Sequence, residues 1–253
     1  MVEKMELKLK ISKDNIITFE QLLSFLKEIN EKAKFTFSKD KITINTMNSS
    51  VSLASFVNLK PEIYSEYVCD TDTTFCLDIK YLDKIFKSAK GTDLIMTFDS
   101  KVGNMIEYSN KKFTFELYDV EESFNKEFKI KYNNNSTILS EEIKEVLSDM
   151  KIVIGEDDSA QFNMSENNLN VIVQNDMGGS KKYTYDFQKA KIKNDEEIKS
   201  FFGRYMLKNV EKAFPSYFNE FKISFNKEYP MQVVYEKDNI LVTTVIAPLV
   251  SND

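Results

Sequence analysis

Histidine is absent from this sequence. That removes the commonest general base, Ser–His and Cys–His nucleophile pairs, and histidine metal sites. Cysteine occurs only at Cys69 and Cys76, a pair that forms no metal motif. Two free thiols in a reducing compartment are expected, with a disulfide as the alternative. Glycine (6) and proline (4) are scarce, which argues against disorder and against glycine loops that cradle phosphates. The N-terminal MVEKMELKLK lacks an apolar signal core. The longest nearly apolar run, ILVTTVIAPLV (240–250), is about half the length a membrane helix needs. It reads as a buried strand followed by a tail, in an intracellular soluble protein. No paired-carboxylate motif stands at a catalytic spacing, and Asp157–Asp158 read as loop residues. Neither an enzyme nor a metal or cofactor site is expected.

What is present is a globular composition, 42% hydrophobic and 29% charged over 253 residues, enough for one large or two small domains. The chain is acidic, 34 Lys+Arg against 40 Asp+Glu, net −6. Yet KYLDKIFKSAKG (80–91) holds four lysines and one acid. At about 100° per residue, Leu82, Ile85, Phe86 and Ala89 share one side of a helix over 79–90. Lys80, Lys84, Lys87 and Lys90 share the other, with Asp83 among them. Asp78 is the expected N-cap and Gly91 the stop. A matching segment, SFFGRYMLKNVEKA (200–213), predicts a helix with Arg204, Lys208 and Lys212 in front and Phe202, Met206, Val210 and Ala213 behind. One such face is ordinarily a solvated surface. Two of them in an acidic chain suggest a polyanion held at one place and repelled elsewhere. Lysines on a helix suit phosphate contact better than base readout.

The basic helices belong to a repeat. FTFSKDKITI (35–44) aligns without gaps with FNMSENNLNV (162–171), and both read as hairpins. ELKLKI (6–11) and EFKIKY (127–132) alternate as half-buried strands do. Each precedes a helix: Ile16, Phe19, Leu22, Leu23, Leu26 and Ile29 line the first, and Ile143, Val146, Leu147 and Met150 the second. The outer faces of these two are mixed: Glu20, Ser24, Lys27, Glu28 and Glu31 on one, Glu141, Lys144, Glu145 and Ser148 on the other. Nucleic-acid contact is therefore expected to be weak and uneven. In each half three strands follow the basic helix. The chain divides into two similar α+β domains, 1–118 and 128–253, joined by a connector at 119–127 whose core is the acidic DVEESFN. KKFTFELY (111–118) and KKYTYDF (181–187) read as lysine-guarded edge strands, with Phe113, Phe115 and Leu117 on one side of the first and Tyr183 and Tyr185 on one side of the second, free to pair with another copy; internal strands are the alternative.

Several segments, in order along the chain, resemble the proliferating cell nuclear antigen family of sliding clamps. MNSSVSLASFVNL (47–59) is similar to its Met-Asp-Ser-Ser turn and following strand. YSEYVCD (64–70), DIKYLDKIFKSAKGTD (78–93) and the terminal IAPLV (246–250) resemble three further family segments. The resemblance implies an α+β clamp fold of two similar domains, with helices on one face and antiparallel sheets on the other. It implies a ring, a homotrimer or a hetero-oligomer, threaded by double-stranded DNA without sequence preference. It implies docking of a DNA polymerase, a clamp loader and other proteins through short hydrophobic motifs. Carried onto this chain, the docking pocket would use Met47, Val51 and Leu53, then Tyr118, Val120 and Phe124, then Pro230, and Val245, Ala247 and Pro248. The DNA face would use Lys27, Lys80, Lys84, Lys87, Lys90, Lys144, Arg204, Lys208 and Lys212. Two departures stand out: Ser50 runs straight into Val51 where the family often has a histidine, and Val245 replaces an aromatic. The competing expectation is a clamp-fold scaffold that binds proteins without encircling DNA.

Overall fold

A computed structural model describes residues 6–99, 103–120, 131–132, 136–139, 145, 148, 150, 152, 159–164, 168–174, 180–186, 198–204, 207 and 219–249. By contact density the chain forms two compact units. The first holds residues up to 126 except 50–54, and takes 237–242. The second holds 50–54, 127–236 and 243–253.

In the first unit the alternating ELKLKI forms β1 (Glu6–Ile11), with Leu7, Leu9 and Ile11 buried. Helix α1 (Ile16–Ile29) follows and buries all six apolar residues its spacing predicts, together with Phe25. Next come β2 (Lys32–Phe37), β3 (Ile42–Met47), β4 (Leu53–Leu59), β5 (Glu66–Cys69) and β6 (Thr73–Asp78). Helix α2 (Ile79–Ser88) is followed by β7 (Leu94–Asp99), β8 (Met105–Tyr108) and β9 (Lys111–Thr114). Antiparallel pairing sets one sheet in the order β5-β1-β7-β8-β9, and a second run of strands as β6-β2-β3-β4. Phe98 of β7 closes the core between them. Its ring lies 5.5 Å from Phe37, 5.0 Å from Phe75 and 5.2 Å, edge-on, from Phe115.

The second unit holds β10 (Ser136–Leu139), β11 (Ser159–Met164), β12 (Asn168–Gln174), β13 (Ser180–Asp186), β14 (Ile198–Gly203), β15 (Glu220–Ser224), β16 (Met231–Lys237) and β17 (Ile240–Ile246), the last shared with the first unit. One sheet runs β13-β12-β11-β14 and a second run of strands is β10-β15-β16-β17. Here too a phenylalanine cluster fills the core. Phe162, Phe202 and Phe225 meet edge-on in all three pairs, at 5.5, 6.2 and 6.0 Å. Both hairpins of the aligned decamers form, as β2–β3 and β11–β12.

The helix expected from residue 200 begins later. Residues 198–203 form β14, and the helical residues described after it are Arg204 and Leu207. The reason lies in the spacing. Ser200 and Phe202 are buried while Lys199 and Phe201 are exposed, a period of two that overlaps the helical spacing from Phe202 to Met206. The edge strand expected over 111–118 is also shorter. β9 ends at Thr114, after which Phe115 folds over Phe98 and Tyr118 pairs with Cys76. Of the third predicted helix, Glu145 and Ser148 are exposed and Met150 is buried, as its pattern requires. Lys144, Phe124, Lys208, Lys212 and the strand 127–132 up to residue 130 lie outside the described residues.

The phenylalanine cluster sets a measurable stability. Phe98→Ala, which empties a fully buried site against three rings, should lower the unfolding free energy by about 3–5 kcal/mol in urea titrations. Ile17→Ala, at a position 53% exposed, should change it by less than about 0.5 kcal/mol.

Candidate nucleic-acid face and docking surface

Helix α2 starts where Asp78 accepts a hydrogen bond from the Tyr81 backbone N–H at 2.8 Å, the N-cap its sequence predicts. Gly91 (φ +79) stands in the left-handed conformation just past the helix end. Ile79, Leu82, Ile85 and Phe86 are buried, and Lys80, Lys84, Lys87 and Lys90 are exposed. α1 packs against α2 and adds Lys27 to the same unit.

These lysines do not form a bare positive stripe. Asp83, read from the sequence as one of the front residues, is buried at 2% exposure. Its Oδ1 accepts from the Ser24 hydroxyl at 2.5 Å, and its Oδ2 from Lys27 Nζ at 2.6 Å and Lys87 Nζ at 2.9 Å. Lys80 pairs with Glu31 at 2.6 Å, and Lys90 with Glu20 at 2.9 Å. Among the described residues, Lys84 is the one lysine of the five without a carboxylate in salt-bridge range. Burial pushes the Asp83 carboxyl up, but hydrogen bonds from Lys27, Ser24 and Lys87 outweigh it and hold the group below its ordinary value. The same contact with Asp83 raises Lys27. The hydrogen bond between Lys80 and Glu31 lowers the acid and raises the base.

The residues expected in a docking pocket divide between core and surface. Met47, Leu53 and Val245 are buried, at 3%, 1% and 5% exposure, so they lie beneath any docking surface. In the first unit Tyr118 exchanges two backbone hydrogen bonds with Cys76 and lies under Lys32, 4.3 Å from the ring centroid. Val120 is half-buried. The second unit holds the exposed apolar groups. Val51 is 36% exposed on a left-handed backbone (φ 57), unusual for a β-branched residue. Beside it, the Ala247 N–H donates to the Ser52 carbonyl at 2.8 Å, which ties the Val51 turn to the half-buried Ala247 and Pro248. Leu249, 49% exposed, donates its N–H to Phe201 O at 2.8 Å and rests its side chain over Gly203. Pro230 is half-buried, its carbonyl accepting from Tyr132 Oη at 2.8 Å. Leu249, Phe201 (42% exposed) and Tyr229 (54%) were missed in the sequence. The signal available for Leu249 was its place just after Pro248, which stops the preceding strand.

Among ring-closing candidates, Phe113 belongs to β9, at one edge of the five-stranded sheet, and stacks on Tyr108 at 5.7 Å. Phe115 and Leu117 lie beyond that strand and are half-buried. Tyr183 and Tyr185 belong to β13, at an edge of the four-stranded sheet, in register with Val171 and Leu169. Among the described residues there is no group of three or more His, Cys, Asp or Glu that could hold a metal ion, and no helix long and apolar enough to cross a membrane. Cys69 and Cys76 are buried free thiols.

Two α+β units built to one plan, each with antiparallel sheets, define a protein of the DNA-clamp fold. Residues 5–137 match the model of the proliferating cell nuclear antigen N-terminal domain. A DNA polymerase sliding clamp of Pyrococcus horikoshii is 27% identical over 244 residues, spanning 92% of this chain and 94% of that one. Proliferating cell nuclear antigen of Saccharomyces cerevisiae is 21% identical over 215 residues, 77% of this chain and 80% of that one. The crystal structure of the Entamoeba histolytica antigen matches with a TM-score of 0.81 at 17% identity, over 97% of this chain and 99% of that one. The A. fulgidus antigen, solved bound to the C-terminal region of FEN-1, matches at 0.84 and 13%, over 98% and 100%. The structural likenesses establish the fold. The chain belongs to the proliferating cell nuclear antigen family of DNA sliding clamps.

Asp83 offers a pH test. Its carboxyl sits below its ordinary 3.8 in the folded chain, so the stabilisation it gives is complete above that value and lost as pH falls through the folded one. Asp83→Asn should cost about 2 kcal/mol at neutral pH. In urea titrations the gap from wild type should narrow only below about pH 4.

Proposed function

We propose that this chain is one subunit of a closed ring that encircles double-stranded DNA without sequence preference and holds a DNA polymerase and other factors on it. The observation that carries the reading is the α1–α2 face, where Lys27, Lys80, Lys84, Lys87 and Lys90 gather on a chain of net charge −6. Lys144, Arg204, Lys208 and Lys212 are the corresponding candidates in the sequence of the second half. The acidic remainder repels DNA elsewhere. On this reading the protein performs no chemistry. It acts by topology inside the cell, at sites of DNA replication, and a clamp loader opens the ring.

Ring closure, in this proposal, joins the β9 edge with Phe113, Phe115 and Leu117 to the β13 edge with Tyr183 and Tyr185 of the next copy, three copies to a ring. The connector 119–127 divides domain 1–118 from 128–253. Partner proteins dock a short hydrophobic motif, and in the second unit Val51, Pro230, Ala247, Pro248 and Leu249 offer the exposed and half-buried apolar groups for it. An exposed apolar surface of this kind is ordinarily a binding site. A scaffold that binds proteins without encircling DNA is the second reading. The ion pairs that occupy four of the five lysines favour it.

The two readings part on closed circular DNA. A ring should remain bound through moderate salt and be lost when the circle is cut, because it is held by topology and not by counterion release. Equal loss from cut and uncut circles would leave the scaffold. Lys84→Glu should weaken equilibrium binding to linear duplex several-fold and lower its salt slope by about one. The double substitution Pro248→Ala/Leu249→Ala should raise the Kd for a hydrophobic-aromatic partner peptide about tenfold, with solution mass unchanged in light scattering. Equal peptide binding would mean the docking surface lies elsewhere.

A further inference from the structure

A lysine whose charge a carboxylate already neutralises gains less from a phosphate than a free one. On the α1–α2 face this applies to Lys27 and Lys87, which share Asp83, to Lys80 with Glu31 and to Lys90 with Glu20, at 2.6–2.9 Å. The partners differ in accessibility. The side chain of Asp83 is 3% exposed and that of Glu20 11%, whereas that of Glu31 is 68% exposed. Three of the four pairs come from afar in sequence, with Glu31 and Lys80 49 residues apart and Lys27 and Asp83 56, whereas Lys87 and Asp83 are four residues apart on α2. The fold brings carboxylates to lysines that local sequence leaves unpaired.

We infer that Glu20, Glu31 and Asp83 are built-in competitors for DNA phosphate, which keep the grip of this lysine face shallow enough for the protein to slide. The inference rests on the reading of the face as DNA-facing. A free lysine that neutralises a phosphate releases condensed counterions, about 0.9 in the slope of log K against log salt for each contact. Lys80, on exchanging the exposed Glu31 for a phosphate, leaves that carboxylate to gather cations again, so its net release is near zero, while Lys27, Lys87 and Lys90 stay held by carboxylates that are buried. Paired lysines then steer DNA without gripping it, and Lys84 supplies most of the salt dependence of this face. The carboxylates are positioning residues, acting on DNA through the lysines they hold.

Glu31 gives the direct test, because it is exposed and its substitution leaves the Asp83 cluster in place. Binding of the full chain to a labelled linear duplex would be measured by anisotropy from about 50 to 200 mM salt. Glu31→Gln, which frees Lys80, should bind about threefold to tenfold more tightly at the lowest salt, with a slope steeper by about 0.9. Glu31→Gln/Lys80→Gln should lose both gains. A thermal melt unchanged from wild type accompanies the expected result, since a merely structural pair would move the melt and not the slope. An unchanged slope in Glu31→Gln, with wild type still retained on closed circles, overturns the inference and leaves the DNA reading standing. A steeper slope that persists in the double variant overturns it also, because the gain would not run through Lys80. Wild type that neither stays on circles nor binds linear duplex overturns both.

Discussion

One carboxylate organises the helical face of the first unit. Asp83 lies at the boundary between the apolar and basic sides of α2, where α1 packs over it, and it is charged although buried. A buried charge is tolerable only when its partners satisfy it. Ser24 takes one oxygen and Lys27 and Lys87 take the other, two partners from α1 and one from α2 itself. The apolar faces could pack at several sliding registers, since Leu, Ile and Phe contacts are not directional. The cluster selects one register. The directions of Lys27 and Lys87, and through the helix those of Lys84 and Lys80, follow from it.

That arrangement bears on how an acidic protein manages a basic face. On geometric grounds alone the lysines would present a strong local field. With Glu20, Glu31 and Asp83 interleaved, the field at the surface is smaller than a lysine count suggests, and it is distributed as dipoles instead of free charges. Exposed pairs such as Lys80–Glu31 add little stability, typically under about 1 kcal/mol. Their more consequential effect is on what the lysines can do for a polyanion that comes near.

The reach of sequence reasoning here follows the range of the interactions. Strands with alternating residues, the six apolar positions of α1, the Asp78 cap and both hairpins rest on contacts within one element or between neighbours, and they were legible. The repeat was legible for the same reason. Two kinds of feature were not. Partners brought together across 49 to 59 residues, such as Glu31 with Lys80 and Ser24 with Asp83, leave no local pattern. Short segments in which periods of two and of 3.6 coincide were misassigned, as at 198–203, where pairing with β11 decides the outcome. Within the stretches named by resemblance, the sequence does not separate buried Met47, Leu53 and Val245 from exposed Val51 and Leu249, because exposure there depends on where each strand begins or ends and on which face a residue takes.

The chain ends illustrate how one segment can serve core and surface together. In β17, Ile240, Val242, Val245 and Ile246 are buried, which anchors the strand. Immediately after it, the Ala247 N–H is used by the Ser52 carbonyl and the Leu249 N–H by Phe201, so the backbone remains fixed after the strand stops. Fixing the backbone costs conformational entropy, roughly 1–2 kcal/mol per residue, without burying the Leu249 side chain in return. Burial of Val242, Val245 and Ile246 in the strand before it offsets that cost. Gly203 lies beneath the Leu249 side chain, and the nearest atom that an added Cβ would meet is Leu249 Cδ1 at 3.9 Å, an ordinary van der Waals contact. On the proposed reading, a hydrogen-bonded backbone and an exposed leucine over Gly203 would make a preformed apolar seat. A preformed seat binds a short peptide more tightly than a mobile tail, because its ordering cost is met in folding and not at the moment of binding.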